Sequence, residues 1–541
     1  MGASIDSIWV LALFSKCTPL SLSTILSSFI LLVLVWLAVA TFYWAHPGGP
    51  AWGKHHLTHL SKWAKKPIPG PKGYPIVGSM GLMTGLAHRK IAAAATRCRA
   101  NRLMAFSIGE TRAIVTCHAD VAREILHSPN FADRPAKESA YSLMFNRAIG
   151  FAPYGSYWRA LRRVAANHMF SPRQIKASEA QRASIASDMV RLFLDRAEAG
   201  AGPFRVRDVL RRASLSNMMA SVFGLRFGLD EKPDGERVAE LEEMVAEGYN
   251  LLGILNWADH LSFLADFDLQ KIRFRCAQLV ARVHRFVSRI IADHRSNPVQ
   301  QPRDFVDVLL SLRGADKLSD SDMIAVLWEM IFRGTDTVAV LIEWIMARMV
   351  HHTKVQGRVH EELDEVVGRS REVAESDIPS LVYLTAVIKE VLRLHPPGPL
   401  LSWARLAIHD STVDGHHVPA GTTAMVDMWA IARDPSVWPD PDQFDPDRFL
   451  TSDPAMEFSV LGSDLRLAPF GSGRRVCPGK ALGLATVSFW VASLLHEFEW
   501  VTPANDVTMD LSEVLKLSCE MAHPLTVEVR TRRSSQSNIL A

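Results

Sequence analysis

Apolar residues are spaced along this chain in three ways. One run is continuous: from Cys17 to Ala45 there is no charged side chain, and Ile25 to Trp44 is almost unbroken hydrocarbon. About 20 such residues carry a helix across a bilayer, and Phe42, Tyr43 and Trp44 supply an aromatic belt at its end. Lys54, Lys62, Lys65 and Lys66 follow, against Lys16 and Asp6 on the other flank, so the positive-inside rule leaves the bulk of the chain in the cytosol. A cleaved leader ending at Ala38-Val39-Ala40 fits less well, because the apolar run continues past that site and no basic segment precedes it.

A second spacing alternates. Arg102–Ile108 and Ala113–Cys117 around Gly109-Glu110-Thr111 predict a hairpin, and Leu515–Arg530 predicts another with its turn at Met521-Ala522-His523-Pro524. The third has the helical period and dominates: His88–Arg99, Ala119–Leu126, Gly155–Ala166, Ala481–Leu495, and residues 174–300 broken at Gly200–Pro203 and Gly228–Gly235. The longest run, Ser319–Val350, carries a capping signal in Ser319 and Asp322 and spans roughly 45–50 Å at about 1.5 Å per residue. Prolines interrupt these patterns at His46–Pro50, at Lys65–Pro71 and at His395–Leu401, which they hold out of helix.

The chain therefore reads as mainly α with small β-sheets, preceded by one N-terminal transmembrane helix. Its parts are a short lumenal terminus (1–20), an anchor (21–45), a Pro/Gly-rich basic hinge (46–71) and a catalytic domain (72–541). Charge adds an exclusion: Lys plus Arg is 60 and Asp plus Glu 57, so no whole-chain field points to nucleic acid. The six cysteines are scattered and form no disulfide framework, as in a body facing a reducing compartment.

The densest chemistry lies in Phe470-Gly471-Ser472-Gly473-Arg474-Arg475-Val476-Cys477-Pro478-Gly479, directly before an apolar helix. The N-terminus of that helix favours a thiolate at Cys477. Gly473 and Gly479 let backbone approach a flat ligand, Phe470 packs against one, and Arg475 suits a carboxylate on it. A thiolate, a flat apolar body and carboxylates describe haem with an axial cysteine. A structural cysteine in a turn is the plain alternative; zinc lacks a second ligand at suitable spacing, and a dinucleotide fingerprint lacks its third glycine.

This spacing resembles the haem-binding signature of the cytochrome P-450 monooxygenases, and four elements occur in that family's order. Arg333-Gly334-Thr335-Asp336-Thr337 resembles the oxygen-activation motif; Asp336 and Thr337 are then the catalytic pair that relays protons to dioxygen. Val338 replaces the usual second hydroxyl. Arg333 stands where a small residue is usual, one helical turn before Thr337, and either meets a substrate carboxylate or turns to a neighbouring acid. Glu390, Arg393 and Arg448, in Glu-x-x-Arg and Pro-x-Arg-Phe elements, resemble the family's buried triad. Trp158 and Arg162, four apart on one helix face, resemble its Trp-x-x-x-Arg element directed at a propionate, and Arg405 the partner of the second propionate. Leu400 and Met521 are placed at the substrate pocket with Arg333. Asn256–Leu261 and Asp268–Arg273 resemble a plant organ-growth subfamily, the KLUH and plastochron type (family 78, subfamily A).

The resemblance implies haem b as cofactor with iron held by Cys477, O2 as co-substrate, and electrons from an NADPH-cytochrome reductase in the endoplasmic reticulum membrane. It also implies a small lipophilic, fatty-acid-like substrate. Arg159, Arg163, Arg474 and Lys480 are the expected basic docking face for the reductase. A haem-thiolate isomerase or dehydratase needing no reductase, a non-catalytic membrane haem sensor, and a membrane protein without haem are the alternatives.

Overall fold

A 23-residue apolar helix, Leu22–Trp44 (α1), leads the structure, with the side chains of residues 26–37 exposed. Its stretch Leu26–Trp44 has a mean hydropathy of 2.3, long and apolar enough to cross a membrane. The computed structural model describes residues 22–58, 66–200, 202–229, 236–401, 404–450, 458–462, 464–503 and 509–532. The expected lumenal terminus, Lys62 and Lys65 lie outside these described residues.

The expected stiff linker after α1 is in part a helix. Gly48 and Gly49, both at φ +84, turn the chain, and Pro50–Thr58 forms α2 with proline at its first position. Trp52 is buried and donates its indole N–H to the carbonyls of Phe106 (3.1 Å) and Ala113 (3.3 Å). The Trp44 indole donates to Gly73 O at 2.7 Å. An aromatic ring with a satisfied N–H stabilises this contact more than an extended segment would. The exit from α1 is thus fastened to the folded body.

Helix α3 (Ala87–Arg97) precedes the first hairpin, β1 (Met104–Ile108) and β2 (Thr111–Thr116), which pair antiparallel with Ile108 opposite Thr111. Helices α4 (Ala119–His127), α5 (Ser156–His168), α6 (Glu179–Glu198), α7 (Val206–Phe223), α8 (Glu236–Gly253) and α9 (Ile272–Ser296) follow, with strand β3 (Phe204–Arg205) between α6 and α7. The Gly224 cap of α7 is left-handed (φ +65), as a glycine permits. Helix α10 (Asp320–His351) begins where Ser319 Oγ accepts from the Asp322 N–H at 3.1 Å. Most of it is buried, and it contributes to both large hydrophobic cores.

Beyond α10 come α11 (Thr353–Val366), α12 (Val382–Leu394), and strands β4 (Arg405–Leu406), β5 (Ser411–Val413), β6 (His416–Val418) and β7 (Thr423–Val426). Helix α13 (Lys480–Glu497) follows the cysteine loop and is buried from Thr486 onward. Strands β1, β2, β7 and β4 form one sheet in that order, in which β2 and β7 are parallel; β5 and β6 pair separately.

At the C-terminal end the structure corrects the sequence expectation. Strands β9 (Glu513–Leu515) and β10 (Cys519–Met521) form a hairpin that turns at residues 516–518. Strand β11 (Thr526–Thr531) leaves to pair with β3 and with β8 (Phe498–Val501). Met521 therefore ends a strand, 1% exposed in the main core, rather than standing on a turn. Pairing β11 with two strands satisfies more backbone groups than one long hairpin would. Residues 395–401 avoid helix as expected, but they turn at Gly398–Leu401 instead of running extended throughout.

His395 closes a buried polar knot. Its ring stacks on Trp344 at 3.8 Å, Arg348 donates to Nε2 (2.7 Å), and Nδ1 lies 3.2 Å from Glu513 Oε1. Burial lowers His395 to about 4. Burial alone would raise Glu513, but the hydrogen bond from His395, the His88 ring 3.5 Å away and the charge of Arg89 hold it below the usual carboxylate range. On acidification the unfolded chain protonates this histidine below about 6.5 while the native protein does not, so stability falls between about pH 6.5 and pH 4. The loss from His395 is roughly 3 kcal/mol, with Glu513 adding to it at lower pH. Thermal midpoints measured across this range should decline less steeply in His395→Gln than in the parent; parallel declines would exclude His395 as the cause.

Candidate active site

The loop before α13 is built by close approach. Gly471 and Gly473 have φ +69 and +68, and a Cβ on Gly473 would overlap the Leu126 carbonyl at the end of α4. The His127 ring and Ser472 Oγ are 2.8 Å apart, fastening the loop to α4. The Cys477 N–H donates to Phe470 O at 3.0 Å, which closes the loop, and Phe470 is half-buried against the main core. A Cβ on Gly479 would lie 3.2 Å from Phe170. Burial raises the Cys477 thiol, while Arg333, the Gly479 N–H, Arg162 and Lys480 pull it down.

Around this loop the fold gathers guanidinium groups from four separate segments. Arg475 is buried and donates to Ala132 O (2.8 Å) and Ala152 O (2.7 Å), with its plane 4.3 Å from the Trp158 ring. Trp158 donates its N–H to Ile149 O at 2.9 Å, and Arg162 donates to Val476 O at 2.9 Å. Arg405, at β4, reaches Ser472 O at 3.4 Å, while its buried Nη1 has no hydrogen-bond partner. Arg134, which the sequence reading missed, donates to Gly150 O (3.1 Å) and Ala404 O (3.0 Å). Burial and mutual repulsion lower Arg405 to about 9; burial lowers Arg475 to about 10.

The Arg333–Thr337 segment splits between two faces of α10. Thr337 is exposed and donates to Arg333 O at 3.5 Å; Arg333 is 3.5 Å from Glu329 one turn earlier. Asp336 is buried on another side, where Arg211 of α7 donates to it at 2.9 Å. Arg211 also holds Glu520 of β10 at 2.7 Å, and Lys516 pairs with Glu520 at 2.5 Å. Burial raises Asp336 above the usual carboxylate range, against the pull of Arg211. Gly334 has a packing reason as well, since a Cβ there would overlap the Met218 side chain of α7.

The structure brings Glu390, Arg393 and Arg448 together. Arg393 donates to Glu390 at 2.7 and 2.8 Å and Arg448 donates at 3.2 Å, with the Glu390 and Arg393 side chains fully buried. Leu400 is half-buried beside the core that holds β1 and β2. Of the residues missed in sequence, Glu329 had a signal in its four-residue spacing before Arg333. Arg134 and Arg211 had none.

The cytochrome P450 family profile matches residues 68–521. The chain belongs to the cytochrome P450 family. It is 64% identical to cytochrome P450 78A3 of Glycine max, over 98% of this chain and 99% of that one. It is 63% identical to cytochrome P450 78A9 of Arabidopsis thaliana, over 99% of each. These relatives place it in the 78A group. At 32% identity it matches flavonoid 3'-monooxygenase of Petunia hybrida, over 87% of this chain and 93% of that one. A solved zebra fish cytochrome P450 with progesterone is similar at a TM-score of 0.69 and 25% identity, covering 82% of this chain and 99% of that chain.

This P450 is a haem-dependent monooxygenase. Its residues fit the group: a cysteine lies in a tight glycine loop, and beside it a cluster of buried arginines carries an orphaned N–H at Arg405, which suits a ligand with two carboxylates.

Proposed function

We propose that this P450 hydroxylates a small apolar or amphipathic, fatty-acid-like molecule. It would take electrons from an NADPH-cytochrome reductase and be held in the endoplasmic reticulum membrane by α1 with its catalytic domain in the cytosol. The observation that carries this reading is a pair of elements: the Cys477 loop with its arginines, and α10, which keeps Thr337 exposed on one side and Asp336 paired to Arg211 on another.

Haem, when bound, supplies the activation of O2, and Cys477 would hold its iron. Arg405, Arg475, Arg162 and Trp158 would hold its carboxylates; the first has a donor to spare, and the others would trade carbonyl partners for charged ones. Thr337 keeps a hydroxyl available to hold a proton, and Asp336 is the nearest acid in sequence to supply one. Because Arg211 binds Asp336, proton delivery requires that pair to loosen.

Membrane attachment draws support beyond α1. Trp257, Phe263, Phe267 and Leu269 are exposed on the segment between α8 and α9, and Phe274 is exposed in the first turn of α9. His260 in that segment accepts from the Glu110 N–H at 2.7 Å, and Glu110 pairs with Lys54 of α2 at 3.5 Å. An apolar surface linked to the exit of α1 suits a lipid face. For the reductase, Arg159, Arg163 and Arg474 are exposed, with Arg163 paired to Asp316 at 2.6 Å, while Lys480 is turned to Leu461 O.

Reconstitution with reductase, NADPH and a plant lipid extract should give NADPH-dependent oxygen uptake and a product heavier by one oxygen atom. Turnover of a substrate without NADPH or oxygen uptake would instead establish the isomerase or dehydratase reading.

A further inference from the structure

Arg333 is a cation in the apolar stretch of α10, and the structure shows what holds it. Its side chain is 38% exposed on the face that carries Thr337, while Ile331, Phe332, Thr335 and Asp336 around it are buried. Glu329, 1% exposed, lies one turn earlier and accepts from the Gly150 N–H at 2.8 and 3.1 Å. A Cβ on Gly150 would overlap both Arg333 Nη1 and Glu329 Oε1, so a side chain here would push the heads of the pair aside. The same loop supplies the Ile149 and Ala152 carbonyls that hold Trp158 and Arg475, and its Gly150 carbonyl holds Arg134. The Glu329–Arg333 pair is thereby joined to the residues that suit the haem carboxylates.

We propose that the Glu329–Arg333 pair sets the reduction potential of the haem, with Arg333 favouring the ferrous form and Glu329 limiting that effect. Reduction adds one electron from the reductase to ferric iron; no covalent bond forms or breaks, and the site gains one negative charge. A cation held beside the site stabilises that added charge, and the buried Glu329 anion opposes it. The proposal rests on the haem-thiolate reading.

The test is a spectroelectrochemical titration of substrate-free protein with haem bound. Arg333→Gln should lower the ferrous-to-ferric ratio at fixed potential by about tenfold, equivalent to a midpoint about 59 mV lower. Arg333→Lys should recover most of this shift, and Glu329→Gln should move the midpoint the other way. An Arg333→Gln midpoint equal to or above the parent's overturns the proposal. If that variant does not retain haem, a Glu329→Gln midpoint that is unchanged or lower does so instead. A parent protein without a thiolate-type carbon monoxide spectrum would remove the haem-thiolate reading itself, a different failure from an unmoved midpoint in a protein that has one.

Discussion

Cys477→Ser protein is expected to fold, to bind haem more weakly, and to lose both the thiolate-type carbon monoxide spectrum and all NADPH-dependent oxygenation. The fold should survive because position 477 serves the loop through its backbone N–H, which donates to Phe470 O whatever the side chain. Haem should be retained in part because the guanidinium groups of Arg162, Arg405 and Arg475 are untouched. The chemistry should vanish because a serine hydroxyl stays protonated where a thiol, aided by Arg333, Arg162, Lys480 and the Gly479 N–H, would release its proton to solvent on binding a metal. A spectrum of the reduced, carbon monoxide-treated variant reads this directly. An unchanged thiolate band would mean that another sulfur binds the iron, and the site described here would be misplaced.

Glu390→Gln is expected to destabilise the protein by about 3–5 kcal/mol, a large share of ordinary domain stability. Glu390 accepts from Arg393 twice, from Arg448 and from the Asp445 N–H at 2.9 Å, all out of water. Removing its charge leaves two buried guanidinium groups without their carboxylate. Arg393 also holds the carbonyls of Ala432 (3.0 Å), Pro441 (2.6 Å) and Gln443 (3.1 Å), so the segment leading to the cysteine loop loosens with it. Chemical denaturation and haem retention together measure the effect. The control is Arg358→Ala, which breaks a half-exposed pair with Asp447 at 2.8 Å and should cost less than about 1 kcal/mol. Equal shifts in the two variants would show that burial of the triad contributes nothing.

Much of the site was legible because its chemistry is local in the chain. The cysteine loop states its requirements within ten residues, since glycines, an arginine and a thiol must be neighbours to form one cradle. Trp158 with Arg162, and Glu390 with Arg393, share helix faces by spacing alone. Helix α10 and its Ser319 cap were readable for the same reason, as was the apolar length of α1. The C-terminal strands were not, because alternation marks a strand without naming its partner: β11 pairs with β8 and β3 instead of folding back on β10.

The sequence by itself determined the order of elements around the cysteine loop, the membrane-length helix and the mainly helical class, and it singled out Cys477 as the candidate ligand, all from short-range period and spacing. Only the tertiary structure decided where the charges go. Asp336 meets Arg211 from 125 residues away, Glu329 takes the backbone N–H of Gly150 from 179 away, and Arg134 reaches Ala404 across 270. A charge taken out of water must find a partner in whatever element is packed against it, and that packing is a property of the folded chain rather than of any window within it.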